Sequence, residues 1–228
     1  MIPAKLRYEV KRLFENTATE SFERNLKSGR LNVRALTKHS ISPNLFQRRY
    51  EEEGIDSAVV ILLDVSGSMY DGIRGKAGQP RTTRMASAAP TCAALLETLS
   101  AAQVATALVT FDDYTSVLKP WNMNARKAIT LLESIDGMGG SDDATALAHV
   151  HNMLYRRPEQ RRLCFVLTDG QGDIAQAKAQ VASAARLGVT TIGIGINADV
   201  SHVYPNNVQI DSLEDLGQVT FTKLKLAA

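Results

Sequence analysis

The chain has 228 residues, and its 26 Lys and Arg against 24 Asp and Glu leave a net charge of +2. That length buries one sizeable core with room for an extension, and so even a charge balance carries no overall demand for nucleic acid or an extremely acidic partner. The two cysteines, Cys92 and Cys164, sit in apolar stretches and read as buried reduced thiols. Met1-Ile2-Pro3-Ala4-Lys5 opens no apolar signal core and no stretch approaches a membrane span, so a cytoplasmic protein is expected.

In chain order, residues 1–54 are expected to form a helical, basic extension and 55–228 a single α/β domain. Lys5, Arg7, Lys11, Arg12, Arg24 and Lys27 set the basic tone of the extension. Leu6, Val10 and Leu13, then Phe22 and Leu26, suggest amphipathic helices, the second closed by Gly29. Such a basic excess is more often a solvated helical face than a nucleic-acid surface. From Ser57 onward strands and helices alternate. Strands are expected at Ala58–Asp64, Gln103–Phe111, Leu163–Thr168 and Thr190–Ile196, with Tyr114–Leu118 as a short antiparallel edge. Helices are expected at Thr82–Ala102 (kinked at Pro90), Ala125–Ile135, Ala144–Tyr155, Ile174–Leu187 and Leu213–Leu226. The pattern implies a Rossmann-like α/β fold, a mostly parallel sheet with helices on both faces.

The chemistry gathers at strand ends. The apolar run Ala58–Leu63 stops at Asp64, followed by Ser66 and Ser68 around Gly67. A carboxylate and two hydroxyls at a strand-to-turn junction make a hard-oxygen cradle suited to Mg²⁺ or Mn²⁺. The same residues also suit a Ser/Gly turn capped by its own aspartate. The strand at Arg162–Thr168 ends in Asp169-Gly170, and ligand groups of open α/β sheets collect beyond such carboxyl ends. A glycine-rich loop, Gly139-Gly140-Ser141-Asp142-Asp143, precedes a helix, and the hydroxyl of Ser141 or of Thr145 can complete the shell. Asp142 and Asp143 follow as extra carboxylates, one of which as a ligand would neutralise the ion and weaken partner capture; they equally suit the N-terminus of that helix, where its dipole favours acids. Between the first cradle and the long helix lies a glycine-rich loop, from Tyr70 to Thr83. It positions Arg74, Lys76, Arg81 or Arg84 to meet an acidic ligand.

This order of Asp-x-Ser-x-Ser, Gly-Gly-Ser and Thr-Asp-Gly resembles the metal-ion-dependent adhesion site of von Willebrand factor A domains. The resemblance implies that Ser66, Ser68 and Ser141 face the cation, that Asp64 and Asp169 hold it through water, and that one position stays open for a partner's Asp or Glu. Ser141 stands where the family usually has threonine, and it supplies the same oxygen.

Further stretches resemble the C-terminal part of the CobT-type subunit of aerobic cobaltochelatase. They are Arg157-Pro158-Glu159-Gln160-Arg161-Arg162, Gly29-Arg30-Leu31-Asn32 and Leu62 to Met69. That family's long N-terminal region and acidic linker are missing from this sequence. The likeness implies an accessory or adaptor subunit working beside a MoxR/CobS-type AAA+ ATPase. A genuine chelatase subunit inserting cobalt or magnesium into a tetrapyrrole, and a scaffold with an ion-free domain, are the alternatives.

The residues themselves suggest no catalytic set. Asp64 lacks a second carboxylate two residues on for acid–base work. Ser66 and Ser68 lie outside a Gly-x-Ser-x-Gly elbow. His149 and His151, two apart on a helix, point to different faces. There is no P-loop, so ATP hydrolysis would belong to a partner.

Overall fold

The structure, a computed structural model, describes residues 19–26, 28, 30–31, 46–52, 56–73, 82–137 and 139–211. Two units divide the chain, Glu15–Asp56 and the rest. In the first, strands β1 (Thr19–Leu26), β2 (Arg30–Leu31) and β3 (Phe46–Glu52) form an antiparallel sheet in the order β1-β3-β2. Here the helical expectation fails. Phe22 and Leu26 are four residues apart, a spacing that suits a helix and a strand alike. The pairing of β1 with β3, which sets Phe22 opposite Arg49 and Glu23 opposite Arg48, is non-local and invisible to a local window. Leu6, Val10, Leu13 and Gly29 lie outside the described residues, as does the closing helix expected at Leu213–Leu226.

In the second unit the uninterrupted apolar run becomes β4 (Ser57–Asp64), buried at every position. A 3-10 turn, Gly67–Tyr70, follows it. Short strands β5 (Gly72–Ile73) and β6 (Thr82–Thr83) pair antiparallel in the loop that the sequence left unstructured. Helix α1 (Arg84–Ala101) runs unbroken through Pro90, its N-terminus capped by the Thr83 hydroxyl accepting from the Ala86 N–H. Then come β7 (Ala105–Phe111), β8 (Thr115–Lys119), α2 (Ala125–Leu132), α3 (Asp143–Tyr155), β9 (Arg161–Thr168), α4 (Ile174–Arg186), β10 (Val189–Ile196) and β11 (Asn206–Ile210). Strand β11 was not anticipated.

The six-stranded sheet has the order β11-β10-β9-β4-β7-β8, parallel except for the antiparallel edge strand β8. Alternation along β4 distributes the core. Ala58, Val60 and Leu62 join Ala146, Leu147 and Val150 of α3 and Ala177 and Val181 of α4. Val59, Ile61 and Leu63, also buried, point to the opposite face, where α1 packs on β7, β4 and β9. Cys92 and Cys164 are both buried and unpaired, as expected of core thiols. Among the described residues no helix is long and apolar enough to cross a membrane.

The connections fix where a ligand site can open. From β4 the chain crosses to β7 on one side, then returns past β8 to β9 on the other. Strand β4 is therefore a topological switch point, and the loops beyond its carboxyl end diverge to leave a crevice.

Candidate functional site

Asp64 is the last residue of β4 and is fully buried. A buried carboxylate needs donors, and two reach it. The Ser66 N–H donates to Oδ1 at 2.9 Å and the Thr168 hydroxyl, at the end of β9, donates to Oδ2 at 2.7 Å. Those bonds do not outweigh desolvation. Burial raises the Asp64 carboxyl to about 6, and the nearby charge of Asp143 pushes the same way. The turn after β4 brings Ser66 Oγ and Ser68 Oγ to 3.2 Å of each other, so both hydroxyls converge as the sequence suggested.

The glycine-rich loop approaches this turn through its backbone. The Gly67 N–H donates to the Gly139 carbonyl at 3.0 Å, and the Asp142 N–H to the Asp112 carbonyl at 3.0 Å. Asp142 and Asp143 then part company. The Asp142 side chain is exposed and accepts from the Thr145 N–H at 3.1 Å, capping α3. Asp143 is only 4% exposed, and its Oδ1 accepts from the Ser141 hydroxyl. Its Oδ2 fits because Gly172 faces it: a Cβ at Gly172 would stand 2.3 Å from that oxygen. The helix-terminus reading thus holds for Asp142, while Asp143 takes the other alternative, an extra carboxylate turned toward the site. The outward signal was the glycine two positions beyond Gly170. Thr145, the alternative to Ser141, is exposed.

Asp169 follows β9 and is 5% exposed. Its Oδ1 accepts from the Gln171 N–H at 3.2 Å, across a turn in which Gly170 takes a left-handed φ of 74°. Its Oδ2 is buried without a hydrogen bond. The nearest cation is Arg84, whose Nη1 lies 3.5 Å away and donates to the Ser68 carbonyl at 2.9 Å. Of the loop residues expected to meet a ligand, Arg84 is thus turned into the site, whereas Arg74, Lys76 and Arg81 lie outside the described residues.

Charge and donor type constrain what the site accepts. Three buried carboxylates, Asp64, Asp143 and Asp169, gather at the strand ends with one guanidinium, beside Asp169, a negative balance that favours a divalent cation. Burial raises the Asp143 carboxyl as well; the Ser141 hydrogen bond opposes that rise, and the charges of Asp169 and Asp142 add to it. Every donor is oxygen, the preference of Mg²⁺ and Mn²⁺. Among the described residues no three His, Cys, Asp or Glu side chains can hold an ion by themselves. An ion here would therefore need further oxygen ligands, and the serine hydroxyls are at hand. The residues present fit such an ion, and the unsatisfied Asp169 Oδ2 is the observation that tests it.

Residues 59–171 match the model of the von Willebrand factor type A domain. Solved structures agree in fold. An aerotolerance-related membrane protein from Bacteroides fragilis superposes with a TM-score of 0.60 at 16% identity, over 74% of this chain and 98% of that one. The conserved hypothetical protein BatB from Bacteroides thetaiotaomicron gives 0.56 at 19% identity, over 74% and 98%. Proximal thread matrix protein 1 from the mussel byssus, solved with a zinc-occupied metal-ion-dependent adhesion site, gives 0.56 at 15% identity, over 75% and 45%. No curated protein is similar to this chain by sequence.

Proposed function

We propose that this chain, whose residues 59–171 match the von Willebrand factor type A domain model, is a metal-dependent protein-interaction module that captures a carboxylate of its partner. Domains of this family are typically interaction modules, and 55–228 would carry that role here. Ser66, Ser68 and Ser141 would offer hydroxyl oxygens to Mg²⁺ or Mn²⁺, with Asp64 and Asp169 holding it through water. The bound ion supplies a positive field with one position left for an outside Asp or Glu. The chain's own residues prepare that field. Thr168 and the Ser66 N–H fix Asp64, and the Gly67–Gly139 contact holds two loops together. The observation that carries the reading is Asp169 Oδ2. Among the described residues it is the one buried carboxylate oxygen left without a hydrogen bond, and that cost is offset when a water held by a cation donates to it.

The partner we propose is a MoxR/CobS-type AAA+ ATPase in the cytoplasm, with this chain as its CobT-like adaptor. Its support is the sequence likeness in Arg157 to Arg162 and Leu62 to Met69, and the two buried, unpaired cysteines suit that compartment. Calorimetric titration of Mg²⁺ and Mn²⁺ into the pure chain tests the first part, and saturable binding should vanish in Asp64→Ala. No binding with or without the ATPase would overturn it. The second part predicts that the chain captures the ATPase in a pull-down and releases it with EDTA. Capture indifferent to both EDTA and Asp64→Ala would count against a carboxylate held through an ion.

A further inference from the structure

Arg84 stands where a cation is disfavoured. It is the first residue of α1, at the positive end of the helix dipole, and no acidic residue in the first turn offsets it. Its Nε is buried with no partner, a further cost. What holds it there is the site. One nitrogen, Nη1, reaches both the Ser68 carbonyl at 2.9 Å and Asp169 Oδ2 at 3.5 Å. It therefore bridges the turn after β4 and the loop after β9, the two segments that carry Ser66, Ser68 and Asp169. The Asp169 side chain is wholly buried while that of Arg84 is 21% exposed, so the arginine can withdraw toward solvent and the aspartate cannot. The 3.5 Å contact is an ion pair without a hydrogen bond, a hold that can be given up.

Resting on the ion-binding reading above, we propose that Arg84 is a built-in competitor for the divalent cation. In the ion-free protein its guanidinium neutralises Asp169 and clamps the two loops. When an ion arrives, that positive charge is a few ångströms from a doubly positive one and must swing outward. The chain thereby holds its cradle in shape without an ion, at the expense of affinity for one. A partner's carboxylate relieves the repulsion, because it faces both the ion and the displaced guanidinium. Ion and partner consequently strengthen each other's binding, as linkage requires of ligands that share one state.

The test is Mn²⁺ titration by calorimetry, with thermal unfolding in EDTA, on the wild type and on Arg84→Met, Arg84→Gln and Arg84→Lys. Coulomb repulsion at such separations is worth about tenfold or more in affinity even at a high effective dielectric. Arg84→Met and Arg84→Gln should therefore bind Mn²⁺ about tenfold more tightly than wild type, and Arg84→Lys, which keeps the charge, should stay within about threefold. In EDTA, Arg84→Met should melt below wild type and recover when Mn²⁺ is added; a residue that merely packs would lower the melting temperature and leave affinity alone. Binding seen in Arg84→Met but not in wild type would also support competition. If wild type binds and the Met and Gln variants bind no better, Arg84 is no competitor, and the ion site itself survives. If none of the four proteins binds Mn²⁺, with or without the ATPase present, both proposals fall.

Discussion

An arginine meets a carboxylate near each end of strand β9, and the two pairs are built on different terms. Just before its amino end, Arg157 Nε donates to Glu159 Oε2 at 3.0 Å, Nη2 donates to Oε1, and the guanidinium stacks 4.7 Å over the Trp121 ring. Fork meets fork, and the aromatic face covers one side of the cation. Beyond the carboxyl end, Arg84 meets Asp169 through one nitrogen at 3.5 Å, with Asp169 Oδ2 and Arg84 Nε unsatisfied. Unpaired buried atoms occur at the other end too, at Ser57 Oγ and Arg162 Nε, but neither belongs to a carboxylate. The matched pair closes a connector. The unmatched pair leaves an unfilled requirement in the place where a divalent ion would meet it.

The largest expected effect breaks the unmatched end. Asp64 has its carboxyl raised from 3.8 to about 6, chiefly by burial, so the folded chain holds that proton more tightly than the unfolded one. Stability from this group is fully present below 3.8 and is lost as pH rises through 6, amounting to about 3 kcal/mol above it. Asp64→Asn should therefore stabilise the ion-free protein by up to about 3 kcal/mol at pH 8, with little gain at pH 4, while abolishing Mn²⁺ binding. Urea unfolding in EDTA at the two pH values reads this directly. A variant less stable than wild type at pH 8 would mean that Asp64 is already compensated without an ion.

A smaller effect comes from the matched end. Arg157→Ala removes the two hydrogen bonds to Glu159 and the stacking on Trp121, and should cost about 1–2 kcal/mol. Mn²⁺ affinity should not change, since Arg157 lies at the far end of the strand from Asp169. A shift in ion binding as large as that of Arg84→Met would erase the distinction between the ends.

How far the sequence reveals all this depends on whether the deciding contact is local. The apolar runs of β4 and β9 and their terminal Asp64 and Asp169 were legible because strands buried on both faces tolerate no polar interruption. Ser66 and Ser68 were legible because they flank one glycine of one turn. Which of Asp142 and Asp143 turns inward was not: a ligand role and a helix N-terminus suit either of two adjacent aspartates, and the room for Asp143 is left by Gly172, beyond the end of β9. Strand β11, Asn206–Ile210, hid for another reason. It lies at a sheet edge and buries only Val208 and Ile210, too little apolar pattern to mark a strand. Arg84 looked like one of four loop cations, and its reach to Ser68 and Asp169 depends on how α1 is placed against β9. The strands of residues 15–56 failed on spacing, since four residues fit two periodicities at once.

The smallest effect is the most discriminating, because its sign reverses between the ends. Burial pushes the Glu159 carboxyl up, but the hydrogen bonds and charge of Arg157 more than offset this and leave it below its ordinary value. Its contribution is therefore present above pH 4.5 and is lost as pH falls through the lowered value, the opposite course to Asp64. The side chain is partly exposed and solvent screens the pair, so Glu159→Gln should cost under about 1 kcal/mol at pH 7 and progressively less as pH falls below 4.5. The sheet would then have a carboxylate whose ionisation stabilises the fold, Glu159, just before β9, and one whose ionisation opposes it, Asp64, at the opposite end, where β4 stops. Unfolding of Glu159→Gln, Asp64→Asn and the double variant between pH 3 and 8 would separate the two slopes. Because the sites stand apart and share no partner, the double variant should show their sum. If Mn²⁺ then flattened the Asp64 slope and left the Glu159 slope untouched, the ion would be acting at the carboxyl end of the sheet alone.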